Sequence, residues 1–237
     1  GGTTVINCAI CVRTPDDIFE KWRRDHGIDD LQDAVGHHQD RLEQELCASL
    51  VPPESAGRGN QLATQGATRL GYESHAMTRY VKGCAGSGQC LQGCRALRKQ
   101  SLNLNFVPDV LARGGSVLSC APVSRILLEG RRAVGVQGQF RHPRSRQRGA
   151  RFVVRARKAL VIAASVTWSP VLLWNSGIRM PALGKFFRAH PGTGVFGVYD
   201  DVVDLNVGAT QGWASVAHRV DPGFKLETLS IPPEMIV

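Results

Sequence analysis

Ala159-Leu-Val-Ile-Ala-Ala164 is followed by Ser165-Val-Thr-Trp-Ser169 and then by Pro170-Val-Leu-Leu-Trp174. The first six residues carry no polar side chain. A run that short and that apolar predicts a strand covered on both faces, as in a parallel sheet flanked by helices. The next five residues read as a turn, and Pro170 starts a helix that ends at Ser176-Gly177. Strand, tight turn and helix in that order present backbone N–H groups to a phosphate-bearing cofactor. An α/β fold class follows.

Upstream of that run the pattern is antiparallel. Val123 to Leu128, Ala133 to Phe140 and Arg151 to Arg157 are strand-like, with apolar and polar residues alternating in places. The joining stretch, Arg141-His-Pro-Arg-Ser-Arg-Gln-Arg-Gly149, has the Pro, Ser and Gly of an exposed loop. It also explains the charge. Lys plus Arg is 29 against 20 Asp plus Glu, giving +9, but residues 131–158 hold ten basic residues and no acid. The rest of the chain is therefore close to neutral. A solvated hairpin tip accounts for the excess better than a nucleic-acid surface, since no RNA-recognition or zinc-finger pattern accompanies it.

Further upstream, Thr3-Thr-Val-Ile-Asn7 reads as a short strand behind Gly1 and Gly2. A helix is expected from Thr14, which can cap it, with Pro15 at its first position, Asp16 and Asp17 at the positive end of its dipole and Gly27 as its stop. Residues 30–46 predict a second helix and 54–70 a third, ending at Gly71. Beyond a loop at 83–94 rich in Gly and Cys, a short helix begins at Phe106 and Ser116 to Ser119 reads as a strand.

A chain of 237 residues with 43% hydrophobic and 21% charged residues buries a real core, in one large domain or two small ones. No apolar run reaches the roughly 18 residues that a membrane span needs. The sequence opens without a Met and stops just after Pro232-Pro233. It is expected to be an internal fragment of a longer protein.

Seven cysteines need their own reading. Cys84, Cys90 and Cys94 sit in one Gly-rich loop, but a metal cluster or a structural zinc normally wants four ligands and tighter spacing. No metal is expected. An odd count with no visible disulfide framework points to the cytoplasm. The histidines, including His37, His38, His75, His142 and His218, read as solvated surface residues.

Gly1-Gly-Thr-Thr-Val-Ile-Asn7 resembles the Gly-Gly-Ser/Thr-Ser/Thr-x-x-Asn signature of the glucose–methanol–choline (GMC) flavoprotein oxidoreductases. Three further segments resemble that family in order and spacing. Val123-Ser-Arg-Ile-Leu-Leu-Glu-Gly-Arg-Arg-Ala-Val-Gly-Val136 is similar to the entry to its meander. Ala163-Ala-Ser-Val-Thr-Trp-Ser-Pro170 is similar to its second signature, and Leu183-Gly-Lys-Phe-Phe-Arg-Ala-His-Pro191 to its Leu-Gly-x-Asn-Leu-x-x-His-Pro segment. The Cys-rich loop followed by Lys99-Gln100-Ser101 resembles the branch that includes long-chain alcohol oxidases, and reads as a structural loop beside the flavin. Some positions depart from the pattern. Cys8 and Ser165 stand where Gly or a small residue is common, Cys11 replaces an aromatic, Trp168 a smaller residue and Phe186 an Asn.

The resemblance implies FAD as cofactor, a small-molecule alcohol as substrate and oxygen or another electron acceptor. Hydride would pass from a CH–OH carbon to the flavin. It places Gly1, Gly2, Thr3 and Thr4 by the phosphates and ribityl chain, Asn7, Cys8 and Ala9 by the isoalloxazine ring, the Val123 backbone at the adenine edge and Ser165 at the turn facing the cofactor. The implied architecture is a partial FAD-binding Rossmann-like domain over 1–178, with a helical insertion at about 14–82 and a β-meander. An α+β substrate-binding domain would begin over 179–237. The Gly-x-Gly-x-x-Gly turn is expected before Gly1 and the catalytic His–His or His–Asn pair beyond Val237, leaving no catalytic residue here; His190 reads as structural. The fragment alone is then expected to be inactive and to bind FAD poorly. An inactive remnant and a non-catalytic dinucleotide-binding module are the alternatives.

Overall fold

The computed structural model describes residues 2–232. Its secondary structure runs α1 (Thr3–Ile6), α2 (Asp16–His26), α3 (Leu31–Glu45), β1 (Ala48–Leu50), α4 (Pro53–Ala56), α5 (Arg58–Leu70), β2 (Ser74–Ala76), β3 (Thr78–Tyr80) and α6 (Phe106–Ala112). The antiparallel strands β4 (Val123–Glu129), β5 (Arg132–Arg141) and β6 (Arg148–Arg155) follow, then α7 (Ser165–Asn175), β7 (Trp213–Ser215) and β8 (Leu226–Glu227). These elements form two compact units. One holds the described residues up to Gly115 together with those from Val198 onward, and the other is Ser116–Gly197.

In the first unit, α2 forms for the reasons visible in its sequence, shifted by one residue. Pro15 occupies the cap position in an extended conformation, so Thr14 lies outside the helix and caps nothing. Asp16 and Asp17 begin the helix, Arg23, Arg24 and His26 end it, and Gly27 closes it in the left-handed conformation with its N–H on the Arg23 carbonyl. Phe19 is the buried residue of this helix and meets Trp22 edge-on at 5.7 Å. The helix expected over 54–70 is two helices. Gly57 breaks it at φ 83°, where a Cβ would stand 2.5 Å from the Val207 carbonyl oxygen, a distance that backbone cannot yield.

Two small sheets complete this unit. β1 and β3 pair antiparallel with Ser49 opposite Arg79, and β2, β7 and β8 form the order β2-β7-β8. The region expected to be a helical insertion thus carries three short strands among its helices. Met77 lies between the sheets, 1% exposed, with its N–H on Gly212 and its carbonyl taken by Val51. Asn60 on α5 ties the later strands in. Its amide donates to the Ala56 and Ala209 carbonyls and accepts from the Gly212 N–H and the Thr228 hydroxyl. All four of these bonds come from one buried side chain.

The second unit is the expected meander. β4 pairs with β5 and β5 with β6, and Phe140 meets Phe152 at 4.9 Å between ring centres. The turn at 142–147 is exposed, so its arginines lie in solvent. α7 is tied to β4 through one buried hydroxyl: Ser176 Oγ accepts the Ile126 N–H at 2.8 Å and donates to the Leu172 carbonyl.

Three expected strands are absent among the described residues. Residues 159–164 pair with nothing, and Val161 is 85% exposed. A strand exists only through its ladder, and this run has no ladder partner among the described residues. No parallel sheet is present among the described strands. Residues 116–119 are likewise irregular. Thr3 to Ile6 is one turn of helix rather than a strand, because a single side chain gathers its carbonyls from one side, as described below. No described helix is long and apolar enough to cross a membrane.

Candidate functional site

The segment from Gly2 to Cys11 is organised from underneath by two buried cations. Arg79 sits at the centre of β3 with none of its surface exposed, and Lys99 is 1% exposed. Lys99 Nζ donates to the carbonyls of Val5, of Asn7 (2.8 Å) and of Cys90 (2.8 Å). Those are the three bonds that an ammonium can make. Arg79 Nε and Nη2 both donate to the Cys8 carbonyl, at 3.1 and 2.8 Å, and Nη2 also reaches Cys90 Sγ at 2.8 Å. Arg79 Nη1 is buried without a partner. Neither cation has a carboxylate within ion-pair distance among the described residues.

Local turns complete the segment. Gly2 precedes α1 at φ 98°, a conformation that suits glycine. Thr4 Oγ1 accepts the Leu102 N–H. Asn7 Oδ1 accepts the Ala9 N–H at 3.0 Å, turning the chain so that Ala9 adopts φ 61°. Beyond the turn, the Ala9 carbonyl accepts the Tyr80 N–H, and Cys11 N–H donates to Thr78, so residues 9–11 run along β3. The 3-10 turn Cys90–Gln92 packs against α1, and Gly93 after it has its Cβ position 3.2 Å from Val5 Cγ1. The outcome is a segment with Gly2, Thr3 and Asn7 exposed, Cys8 half-buried and Ala9 buried.

Burial sets the titration of these groups. It pushes the Cys8 thiol up, and the neighbouring Cys90 pushes it further, against Arg79 and Lys99. Cys8 therefore stays protonated at neutral pH. Burial pushes Lys99 down, while the thiols of Cys90, Cys94 and Cys8 oppose that shift. Cys84, Cys90, Cys94 and Lys99 help to line a small cavity of about 20 Å³, room for about one water. All seven cysteines are free thiols, and no group of three His, Cys, Asp or Glu among the described residues is placed to hold a metal ion.

The remaining expected site residues belong to the second unit. Val123 opens β4 opposite Gly138 and is exposed. Ser165 is the first residue of α7 rather than part of a preceding turn, and Pro170 lies inside that helix. Ser165 adopts φ 72°, and its hydroxyl accepts the Thr167 N–H. Ala164 N–H is taken by Ser169 Oγ. Gly1 lies outside the described residues. Gly2, Thr3, Thr4, Asn7, Cys8 and Ala9 are brought together as one exposed-topped segment, while Val123 and Ser165 stand in the other unit. His190 is exposed. His218, by contrast with its surface reading, is half-buried between Tyr72 and Phe224.

Nothing in Thr78-Arg-Tyr80 signals a buried guanidinium, so Arg79 is not legible in the sequence, and Lys99 is legible there only as part of Lys99-Gln100-Ser101.

The family model described as GMC oxidoreductase matches residues 1–192. The chain is 35% identical over 237 residues to the uncharacterized GMC-type oxidoreductase Rv0492c of Mycobacterium tuberculosis, covering 99% of this chain and 37% of that protein. It is 30% identical over 208 residues to the uncharacterized GMC-type oxidoreductase y4nJ of Sinorhizobium fredii, covering 87% of this chain and 40% of that one. It is 26% identical over 206 residues to the long-chain-alcohol oxidase FAO4B of Arabidopsis thaliana, covering 81% of this chain and 26% of that one. The chain thus spans well under half the length of each of these relatives. With its signature segment built and braced as described and most of its length matched, the chain belongs to the GMC oxidoreductase family.

Proposed function

We propose that this chain supplies the cofactor-facing part of an FAD-dependent oxidoreductase that converts a CH–OH group into a carbonyl. The observation that carries the reading is the braced segment within the family match. The carbonyls of Val5, Asn7 and Cys8 are drawn inward onto Lys99 and Arg79, while Gly2, Thr3 and Asn7 remain open on the other side. Two buried cations without a carboxylate partner suit an anion-bearing ligand above them. The orphaned Arg79 Nη1 agrees with that reading.

When bound, FAD accepts the hydride of the alcohol carbon. The chain's own residues bind and orient. Gly1 and Gly2 let the backbone approach a pyrophosphate, and the Thr3 and Thr4 hydroxyls lie along the phosphates and ribityl chain. Asn7, Cys8 and Ala9 would lie by the isoalloxazine ring. The Val123 backbone would border the adenine, and Ser165 would face the cofactor. No residue of this chain is assigned as the base.

The proposal extends to architecture: a Rossmann-like FAD-binding domain over 1–178, in which 159–164 becomes a strand, and a substrate-binding domain that begins over 179–237. The long-chain-alcohol oxidases among the relatives make a long-chain primary alcohol the first substrate to try, with oxygen as acceptor. Seven free thiols support a reducing, cytoplasmic location.

The test is to purify the whole protein and record its visible spectrum before and after anaerobic addition of alcohols of graded chain length. A flavin spectrum that bleaches with an alcohol supports the proposal. Bound flavin that no alcohol bleaches would favour a binding module, and no flavin at all would favour a remnant.

A further inference from the structure

We propose that Lys99 and Arg79 are positioning residues. They fix the Val5–Cys8 backbone in the form the cofactor meets, and their paired positive charge favours the reduced, negatively charged flavin. The inference rests on the proposed FAD role, but its physical basis lies in this chain alone.

The geometry is that of a clamp. One ammonium collects carbonyls separated by more than eighty residues in sequence, Val5 and Asn7 on one side and Cys90 on the other. One guanidinium straddles the Cys8 carbonyl with two donors and holds the Cys90 sulfur with one of them. The result pins three carbonyls of the segment, Val5 and Asn7 on the lysine and the adjoining Cys8 on the arginine. A lysine has the tetrahedral donors for three separate carbonyls, whereas an arginine has a planar fork for one. Each cation therefore sits where its own shape is needed.

Charge supplies the second half. Two like charges buried together repel, and burial without an anion is costly. Among the described residues the groups these cations meet are the carbonyl dipoles of Val5, Asn7, Cys8 and Cys90 and the Cys90 sulfur, and the neighbouring Cys8 thiol is held protonated. No described carboxylate pairs with either cation, although Glu227 is near enough to act on Cys8. An anion arriving on the open side of the segment gains from both cations through a low-dielectric layer that screens poorly. A cofactor that becomes negative on reduction gains most in its reduced state, which raises its reduction potential.

The experiment uses the whole flavoprotein and the variants Lys99→Met and Lys99→Arg. Its two readouts are the flavin midpoint potential, measured by dye equilibration, and amide hydrogen exchange over residues 5–9. Loss of a charge-assisted bond predicts exchange faster by about tenfold in Lys99→Met, with a potential shifted to more negative values. Lys99→Arg keeps the charge and loses the three-carbonyl geometry, so exchange rises while the potential stays nearer the wild type. A Lys99→Met protein that retains flavin with unchanged potential and unchanged exchange overturns the proposal. Should that variant fail to accumulate, acetylation of the wild-type protein decides. Lys99 should react far more slowly than the exposed Lys185, and equal reactivity would refute the clamp. A wild-type protein without flavin refutes the proposed function instead, while exchange and acetylation still judge the clamp.

Discussion

Two signature segments of this chain were expected to be strands, and they end in opposite circumstances. Residues 2–11 are held by Lys99, Arg79, Tyr80 and Thr78, with Ala9 and Cys11 buried beneath. Residues 159–164 join no described strand, and Val161 is 85% exposed. The apolar run was the stronger strand signal of the two, yet it is the one that stays irregular. Apolar content reports that a segment seeks burial, whereas a ladder partner decides whether it becomes a strand. The Gly1–Asn7 motif carries less apolar surface but has partners for its backbone within the chain.

The sharpest way to break that contrast is to remove the support beneath the first segment. Arg79→Met should lower the stability of the first unit by about 3 kcal/mol, because it leaves the Cys8 carbonyl unsatisfied in the interior. Urea denaturation followed by circular dichroism measures this. A loss under half a kcal/mol would mean that the segment is not held from below.

A smaller effect of opposite sign is expected in the second unit. Ser165 (φ 72°) and Phe186 (φ 60°, 81% exposed) both occupy left-handed backbone. Glycine or asparagine takes that conformation at less cost, by about 1 kcal/mol. Ser165→Gly and Phe186→Asn should each raise the melting temperature of the protein, and a fall in both would contradict the backbone assignment. These are two of the positions at which the sequence departs from the family pattern, so the departures have a physical reading: each places a side chain where the backbone prefers none or an amide.

Val161→Thr sharpens the comparison further. In this chain it should change stability by less than about 0.5 kcal/mol, because the side chain is exposed. In the whole protein the proposed strand would make the same change cost about 1 kcal/mol or more. Equal small effects in both would count against a buried strand at 159–164.

The smallest effect concerns pH. Arg13 makes two hydrogen bonds to Glu43 and holds its carboxyl below the usual range, so their contribution is complete above the ordinary carboxylate pKa and is lost as the pH falls through the lowered one. The denaturation midpoint of the wild type should drop more on acidification than that of Arg13→Gln. The difference should be small, because Arg13 is half exposed and solvent screens the pair.

Much of this was legible in the residues. Asp16, Asp17 and Gly27 mark α2 at both ends, and alternation marks β4, β5 and β6 with the exposed arginine turn between the last two. Local chemistry governs those elements, so local sequence reports them. The Gly57 break was not legible, because it is imposed by the approach of Val207 and Gly208 from far along the chain. Nor was Arg79, whose burial depends on where Cys8 and Cys90 come to lie. The Gly-Gly-Thr-Thr motif suggests a strand where Thr3–Ile6 is a helical turn, and the Val5 carbonyl within that turn is held by a lysine more than ninety residues away.

The proposed arrangement puts the exposed side of residues 2–9 against the flavin while Lys99 and Arg79 brace the other. Hydrogen exchange on the whole protein with and without FAD tests it most directly. FAD should slow exchange over residues 3–9 more than over α2 or the 142–147 turn. Unchanged exchange over 3–9, with the cofactor bound, would contradict it.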